Sequence, residues 1–117
     1  MSIAIAKTAG PGRPKDLEKR AAILQAAKRQ GAKLIAIDPR KTETAEKCHQ
    51  HIALLPGTDG ALALGLMHEL VVNDWIDHDY VARHVDGWEA LRERALQWPP
   101  ERVAATCGIG ADEVRGL

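Results

Sequence analysis

The sequence predicts an α/β fold, a short parallel sheet with covering helices followed by a helical carboxy-terminal extension. Three observations lead to it. Leu34-Ile35-Ala36-Ile37 is an unbroken apolar run bounded by turn signals, the pattern of a strand buried on both faces. A second such run, His51 to Leu55, stops at Pro56-Gly57. Apolar residues elsewhere recur at helical spacing, and nothing beyond Asn73 alternates as a strand would.

The elements follow in order. Ser2 to Ala6 is a short candidate strand, and Thr8 to Pro14 is a loop because its glycines and prolines forbid regular structure. Asp16 is a suitable N-cap for a helix carrying Leu17, Ala21, Leu24 and Ala27 on one face, and Gly31 ends it. Strand, helix and buried strand make a right-handed βαβ crossover the default. Lys41 to Gln50 is polar, with a helical turn expected over Glu43 to Lys47. Thr58 or Asp59 then caps a helix reaching Val72, apolar on nearly every side and so expected to be buried. Four short helices follow, near Asp77–His84, Trp88–Gln97, Pro100–Thr106 and Ala111–Arg115, with Trp75, Tyr80 and Trp88 expected to anchor them to the core. Residues 1–73 form the α/β unit and residues 74–117 the helical extension, one domain overall.

Composition narrows the function. The 117 residues carry 16 basic and 16 acidic side chains, so no basic surface announces nucleic acid or anionic lipid. The longest apolar stretch, Ala61 to Val72, is interrupted by Gly65, His68 and Glu69 and is too short to span a bilayer. Met1 to Gly12 lacks the features of a secretory signal. Cys48 and Cys107 stand without a CxxC, which reads as two reduced cysteines in a cytoplasmic protein. His49 and His51 share a side of an extended segment but lack a third ligand at suitable spacing, so no metal site is expected. His68 and His84 read as structural groups, and no catalytic triad can be assembled from residue order.

The candidate site lies where the two strands end. Asp38-Pro39-Arg40 follows the first, and Pro56-Gly57-Thr58-Asp59 follows the second. Parallel strands place both turns on the same sheet edge, where ligands of open α/β sheets gather. Asp38 has the character to accept from a ribose hydroxyl, and Asp59 from the ring N–H and amino groups of guanine. Gly57 allows backbone to approach a flat ligand. The competing reading makes Asp38 a turn cap and Thr58 and Asp59 helix caps only. Gly10-Pro11-Gly12 matches no phosphate-binding fingerprint.

These residues resemble a known family. Gly31 to Ala45, with Ile35-Ala36-Ile37-Asp38-Pro39-Arg40-Lys41-Thr42 at its centre, looks like the cofactor-binding segment of the dimethyl sulfoxide reductase family of molybdenum and tungsten oxidoreductases. The likeness continues through Pro56-Gly57-Thr58-Asp59-Gly60-Ala61, Asp79 to His84, Gly87-Trp88-Glu89, Pro100 to Ala104 and Cys107-Gly108, with formate dehydrogenases and nitrate reductases the nearest in character. The resemblance implies a Rossmann-like three-layer unit, a partial dinucleotide-binding domain whose strand ends hold the guanosine end of molybdopterin guanine dinucleotide. It places Asp38, Pro39, Arg40 and Thr42 on one side of the cofactor and Gly57, Thr58 and Asp59 on the other.

The sequence departs from the family pattern in several places. A Trp-Gly-x-Asn-Pro-type turn is replaced by Thr8 to Gly12. The iron–sulfur cysteines, the segment bearing the metal ligand and the second pterin-binding domain have no counterpart. The resemblance therefore implies part of a longer catalytic subunit, inactive alone, with the rest of that subunit or a second copy as partner. The alternative is a non-catalytic interaction or assembly module that keeps the fold without cofactor.

Overall fold

The computed structural model describes residues 16–117. The expected strand at Ser2–Ala6 and the loop at Thr8–Pro14 lie outside the described residues. The chain divides into two compact units, Met1–Leu34 and Ile35–Leu117.

In the first unit, α1 spans Leu17–Arg29. Its start follows from Asp16, whose carboxylate accepts from the Lys19 N–H at 2.8 Å. Its end follows from Gly31, at φ +78°. The Gly31 N–H donates to the Lys28 carbonyl and the Ala32 N–H to the Ala27 carbonyl, a Schellman closure that L side chains adopt only with strain.

The second unit contains β1 (Ile35–Ile37), α2 (Glu43–Lys47), β2 (Gln50–Ile52), α3 (Asp59–Val72), α4 (His78–His84), α5 (Trp88–Leu96), α6 (Pro100–Cys107) and α7 (Ala111–Arg115). The strands pair in parallel, with Ile35 opposite Gln50 and Ile37 opposite Ile52. The α/β class is as expected, with a short two-stranded parallel sheet and seven helices among the described residues.

The core lies where β2 and the loop after it meet α3, α6 and α7. Ile52, Leu54, Leu62, Val103, Cys107 and Val114 are fully buried there, with Ile35, Trp98 and Leu117 packed against them. Gly65 sets the approach of α6 to α3. A Cβ at that position would stand 2.6 Å from Val103 Cγ2, so only glycine admits the Val103 side chain. Pro100 at the first turn and Gly108 at φ +70° bound α6 between a residue that starts helices and one that ends them.

Three expectations are corrected. First, β1 is not buried on both faces: Ile35 and Ala36 are half-buried, and Ile37 is 45% exposed. Among the described residues the sheet has two strands, so β1 has one hydrogen-bonded neighbour there. Second, α3 is buried only at Leu62 and Gly65, while Leu70 and Val72 are exposed. Within this unit α5, α6 and α7 pack against it, and they leave part of its apolar circumference uncovered. Third, Trp75 is 69% exposed and Tyr80 57%, so neither anchors the tail. Trp88 is half-buried around a cavity of about 50 Å³ with Met67, Val71 and Ile76. Trp98 is the indole that reaches the core, and the Arg102 guanidinium lies 4.1 Å from its ring centre. The second strand is also shorter than expected: Leu54 remains buried, but beyond the ladder.

Candidate nucleotide site

The parallel register sends β1 and β2 out of the sheet in the same direction. Asp38, immediately after β1, still donates its N–H to the Ile52 carbonyl at 3.1 Å, and the chain then turns. Its carboxylate accepts from the Arg40 N–H at 2.7 Å, closing an Asx turn over Pro39. The Asp38 carbonyl lies 2.8 Å from the His51 Nε2. The first turn is thus fixed from both sides, and Pro39 and Arg40 are exposed at its tip. Thr42 lies just beyond. Its hydroxyl accepts from the Ala45 N–H at 3.1 Å and starts α2.

The second turn is built differently. Thr58 occupies the N-cap position of α3 but makes no side-chain cap. Its hydroxyl instead donates to the Leu55 carbonyl at 2.6 Å, which also accepts the Thr58 N–H. This turns the hydroxyl away from the first turn of a 14-residue helix. That end carries the positive pole of the helix and backbone donors with no side-chain acceptor from the N-cap. Gly57 sits at φ +78°, and a Cβ built there meets nothing within 4 Å, so this backbone is open to a flat group. Asp59, the first helical residue, is exposed.

Of the expected site residues, Asp59 alone lines an open recess beside these turns, next to Ile37 at the end of β1. Ile37, Asp59, Leu62, Ala63 and Leu66 line a volume of about 280 Å³, apolar except for the Asp59 carboxylate at its rim. An apolar floor with one acidic residue suits a planar, donor-bearing ring. The two turns present acceptor carboxylates at Asp38 and Asp59, a helix start without a side-chain cap at Thr58, and an exposed guanidinium at Arg40.

The expected residues divide between these turns, Asp38, Pro39, Arg40 and Thr42 at the first and Gly57, Thr58 and Asp59 at the second. Asp38 holds a local turn, as the competing reading required, while the Thr58 hydroxyl does not cap; Thr42, which that reading left out, caps α2. Sequence reasoning missed the residues behind the second turn. The Leu55 N–H donates to the Cys107 carbonyl at 2.8 Å, and the buried Cys107 thiol donates to the Thr58 carbonyl at 3.5 Å. No spacing in the sequence pairs positions 49 apart.

Among the described residues no cluster of His, Cys, Asp and Glu could hold a metal ion. Cys48 and Cys107 are free thiols. His68 Nδ1 lies 3.3 Å from the Ala95 carbonyl, and His84 lies against Tyr80 with ring centres 4.8 Å apart. Arg115 hydrogen-bonds Glu101 and holds its carboxyl below the ordinary value. No helix among the described residues is long and apolar enough to cross a membrane.

Comparison with known proteins places this architecture. Residues 14–99 match the family model described as molybdopterin oxidoreductase. The chain is 37% identical over 95 residues to a probable oxidoreductase, YoaE, of Bacillus subtilis, covering 81% of this chain and 14% of that protein. It is 39% identical over 89 residues to formate dehydrogenase H of Escherichia coli, covering 76% of this chain and 12% of that protein. The solved structure of acetylene hydratase from Pelobacter acetylenicus superposes with a TM-score of 0.76 at 36% identity, over 83% of this chain and 13% of that one. The chain thus spans 12% to 14% of the length of these relatives. With a family model covering most of its length and a fold shared with a solved relative, the chain belongs to the molybdopterin oxidoreductase family.

Proposed function

We propose that this chain supplies half of the site for the guanosine end of molybdopterin guanine dinucleotide, within a larger formate dehydrogenase-like subunit. When bound, such a cofactor supplies two-electron redox chemistry at molybdenum or tungsten. The residues here bind and orient; they carry no chemistry of their own. Asp59 accepts from the guanine edge, and Gly57 admits the ring against the backbone. Asp38 accepts from ribose, and Arg40 offers a cation to the phosphates. Pro39 and Thr42 hold the first turn in shape. The observation that carries this reading is the parallel pairing of Ile37 with Ile52, which delivers both turns to one edge beside a recess that Asp59 rims.

GDP is the natural probe. Titrated into the 117-residue chain, it should bind weakly, more tightly than ADP, and Asp59→Ala should weaken it about tenfold to 150-fold, the loss expected for hydrogen bonds to a charged acceptor. Equal affinity for GDP and ADP, unchanged in Asp59→Ala, overturns the assignment and leaves a generic nucleotide domain or none.

A second reading has its own support. Leu70 and Trp75 are exposed and line a groove of about 350 Å³ with Leu66, Glu69, Val114 and Leu117. Such a surface suits an assembly module that keeps the fold without cofactor. Extraction of the purified chain separates the two, since recovered pterin excludes the assembly reading.

A further inference from the structure

The candidate site is held from behind by residues that do not line it. Leu55 and Thr58 bracket the Pro56-Gly57 turn, and both are tied to one point at the end of α6. The Leu55 N–H donates to the Cys107 carbonyl at 2.8 Å, and the Cys107 thiol donates to the Thr58 carbonyl at 3.5 Å. That carbonyl also accepts the Ala61 and Leu62 N–H groups, so it is the acceptor on which α3 begins. Gly108 completes the contact. At φ +70° it presents no side chain, and a Cβ there would stand 3.1 Å from Leu55 Cγ. Cys107 is fully buried, so its thiol has no solvent to turn to.

We propose that Cys107 and Gly108 are positioning residues for the nucleotide site, a clamp at the end of α6 that sets the Leu55–Thr58 turn and the direction of the α3 N-terminus. This rests on the guanosine reading, and it adds that the affinity of the site is fixed partly by a helix that does not touch the ligand. The thiol suits the place because it packs as a small apolar group and still donates one weak hydrogen bond. A valine would occupy the space and leave the Thr58 carbonyl without its third donor, and an alanine would lose the donor and leave a small cavity as well.

The test follows GDP binding through the backbone N–H resonances of Gly57 and Gly60 in the 117-residue chain, which reports the affinity of folded molecules and is insensitive to a mere loss of stability. Cys107→Ala should weaken GDP about threefold, and Cys107→Ser, which restores a donor, should recover most of that loss. Gly108→Ala reaches the same turn from the exposed side, without opening a cavity, and should also weaken GDP. Wild-type affinity in folded Cys107→Ala and Gly108→Ala overturns the clamp. If the wild-type chain binds no GDP, the guanosine reading fails. The clamp is then read from amide exchange: Gly108→Ala should accelerate exchange at Leu55 and leave Val103 unchanged, and unaltered exchange at Leu55 rejects it.

Discussion

At the scale of single residues, the tightest fit in the chain is Gly65 beneath Val103. Within a helix, glycine to alanine ordinarily gains up to about 1 kcal/mol. Here the new methyl would stand 2.6 Å from Val103 Cγ2, in a core where that side chain has no exposed surface to retreat to. Overpacking therefore outweighs propensity, and Gly65→Ala should lower unfolding stability by about 1–3 kcal/mol in urea titration. Val103→Ala makes room for it, so the double variant should be more stable than the sum of the two single losses predicts. Additive losses would show that the crossing of α3 and α6 is not set by this contact. Much at this scale was legible beforehand. Asp16 as a cap and Gly31 as a helix end are local devices, written in adjacent residues. The Gly65–Val103 fit is not local, and nothing in either segment announces it.

At the scale of elements, the short helices depend on their ends. α2 has five residues, too few to persist on propensity, and the Thr42 hydroxyl closes its first turn. Thr42→Ala should cost about 1 kcal/mol of stability. It should also loosen the segment after Asp38-Pro39-Arg40, seen as faster amide exchange at Ala45. α6 and α7 are joined through Arg115, which bonds both Glu101 and Asp112. The hydrogen bond from Arg115 keeps the Glu101 carboxyl below its ordinary value of 4.5. The folded chain therefore refuses protons that the unfolded chain accepts in the window beneath 4.5. Stability from this pair is complete above that value and is lost as pH falls through the folded one. Glu101→Gln should flatten this part of the acid limb in thermal melts, with a small effect because both partners are exposed. An unchanged acid limb would show that the pair contributes nothing measurable. The four carboxy-terminal helices were readable in place, because Asp77, Gly87, Pro100 and Gly108 punctuate them. Their tertiary roles were not: an apolar or aromatic residue signals that burial is favourable, and says nothing of whether a partner is present. Trp75 and Tyr80 look like anchors by type and lie exposed.

At the scale of the whole molecule, the apolar surface that α3 leaves open has a measurable consequence. Leu70, Val72 and Trp75 are exposed together near its end. The chain should associate as concentration rises, and Trp75→Glu should shift sedimentation velocity profiles toward the slower species. A single slow species at every concentration would show that this surface is tolerated in water. The same surface explains why burial of β1 and α3 was overestimated. Their sequences are those of elements covered on more sides, and the relatives are about six times longer, since 95 matched residues are 14% of one and 89 are 12% of another. The placement of the two candidate turns was legible, because the parallel pairing of two apolar runs is enough to bring Asp38-Pro39-Arg40 and Gly57-Thr58-Asp59 to one edge.

The tie between Leu55 and Cys107 bears on how the chain acquires its shape. Two paired strands of three residues each are too few to stand alone in water. Ile52 and Leu54 gain their burial only when Val103 and Cys107 arrive from the far end of the chain. This is a pairing of high sequence separation, and loop closure must precede any reward from it. The turns after β1 and β2 therefore depend on α6: without it docked, the Leu55 N–H loses its acceptor at Cys107 and Ile52 and Leu54 lose their cover. Proteolytic nicking in the Gln97–Pro99 connection should therefore abolish the site while leaving every residue that lines it intact.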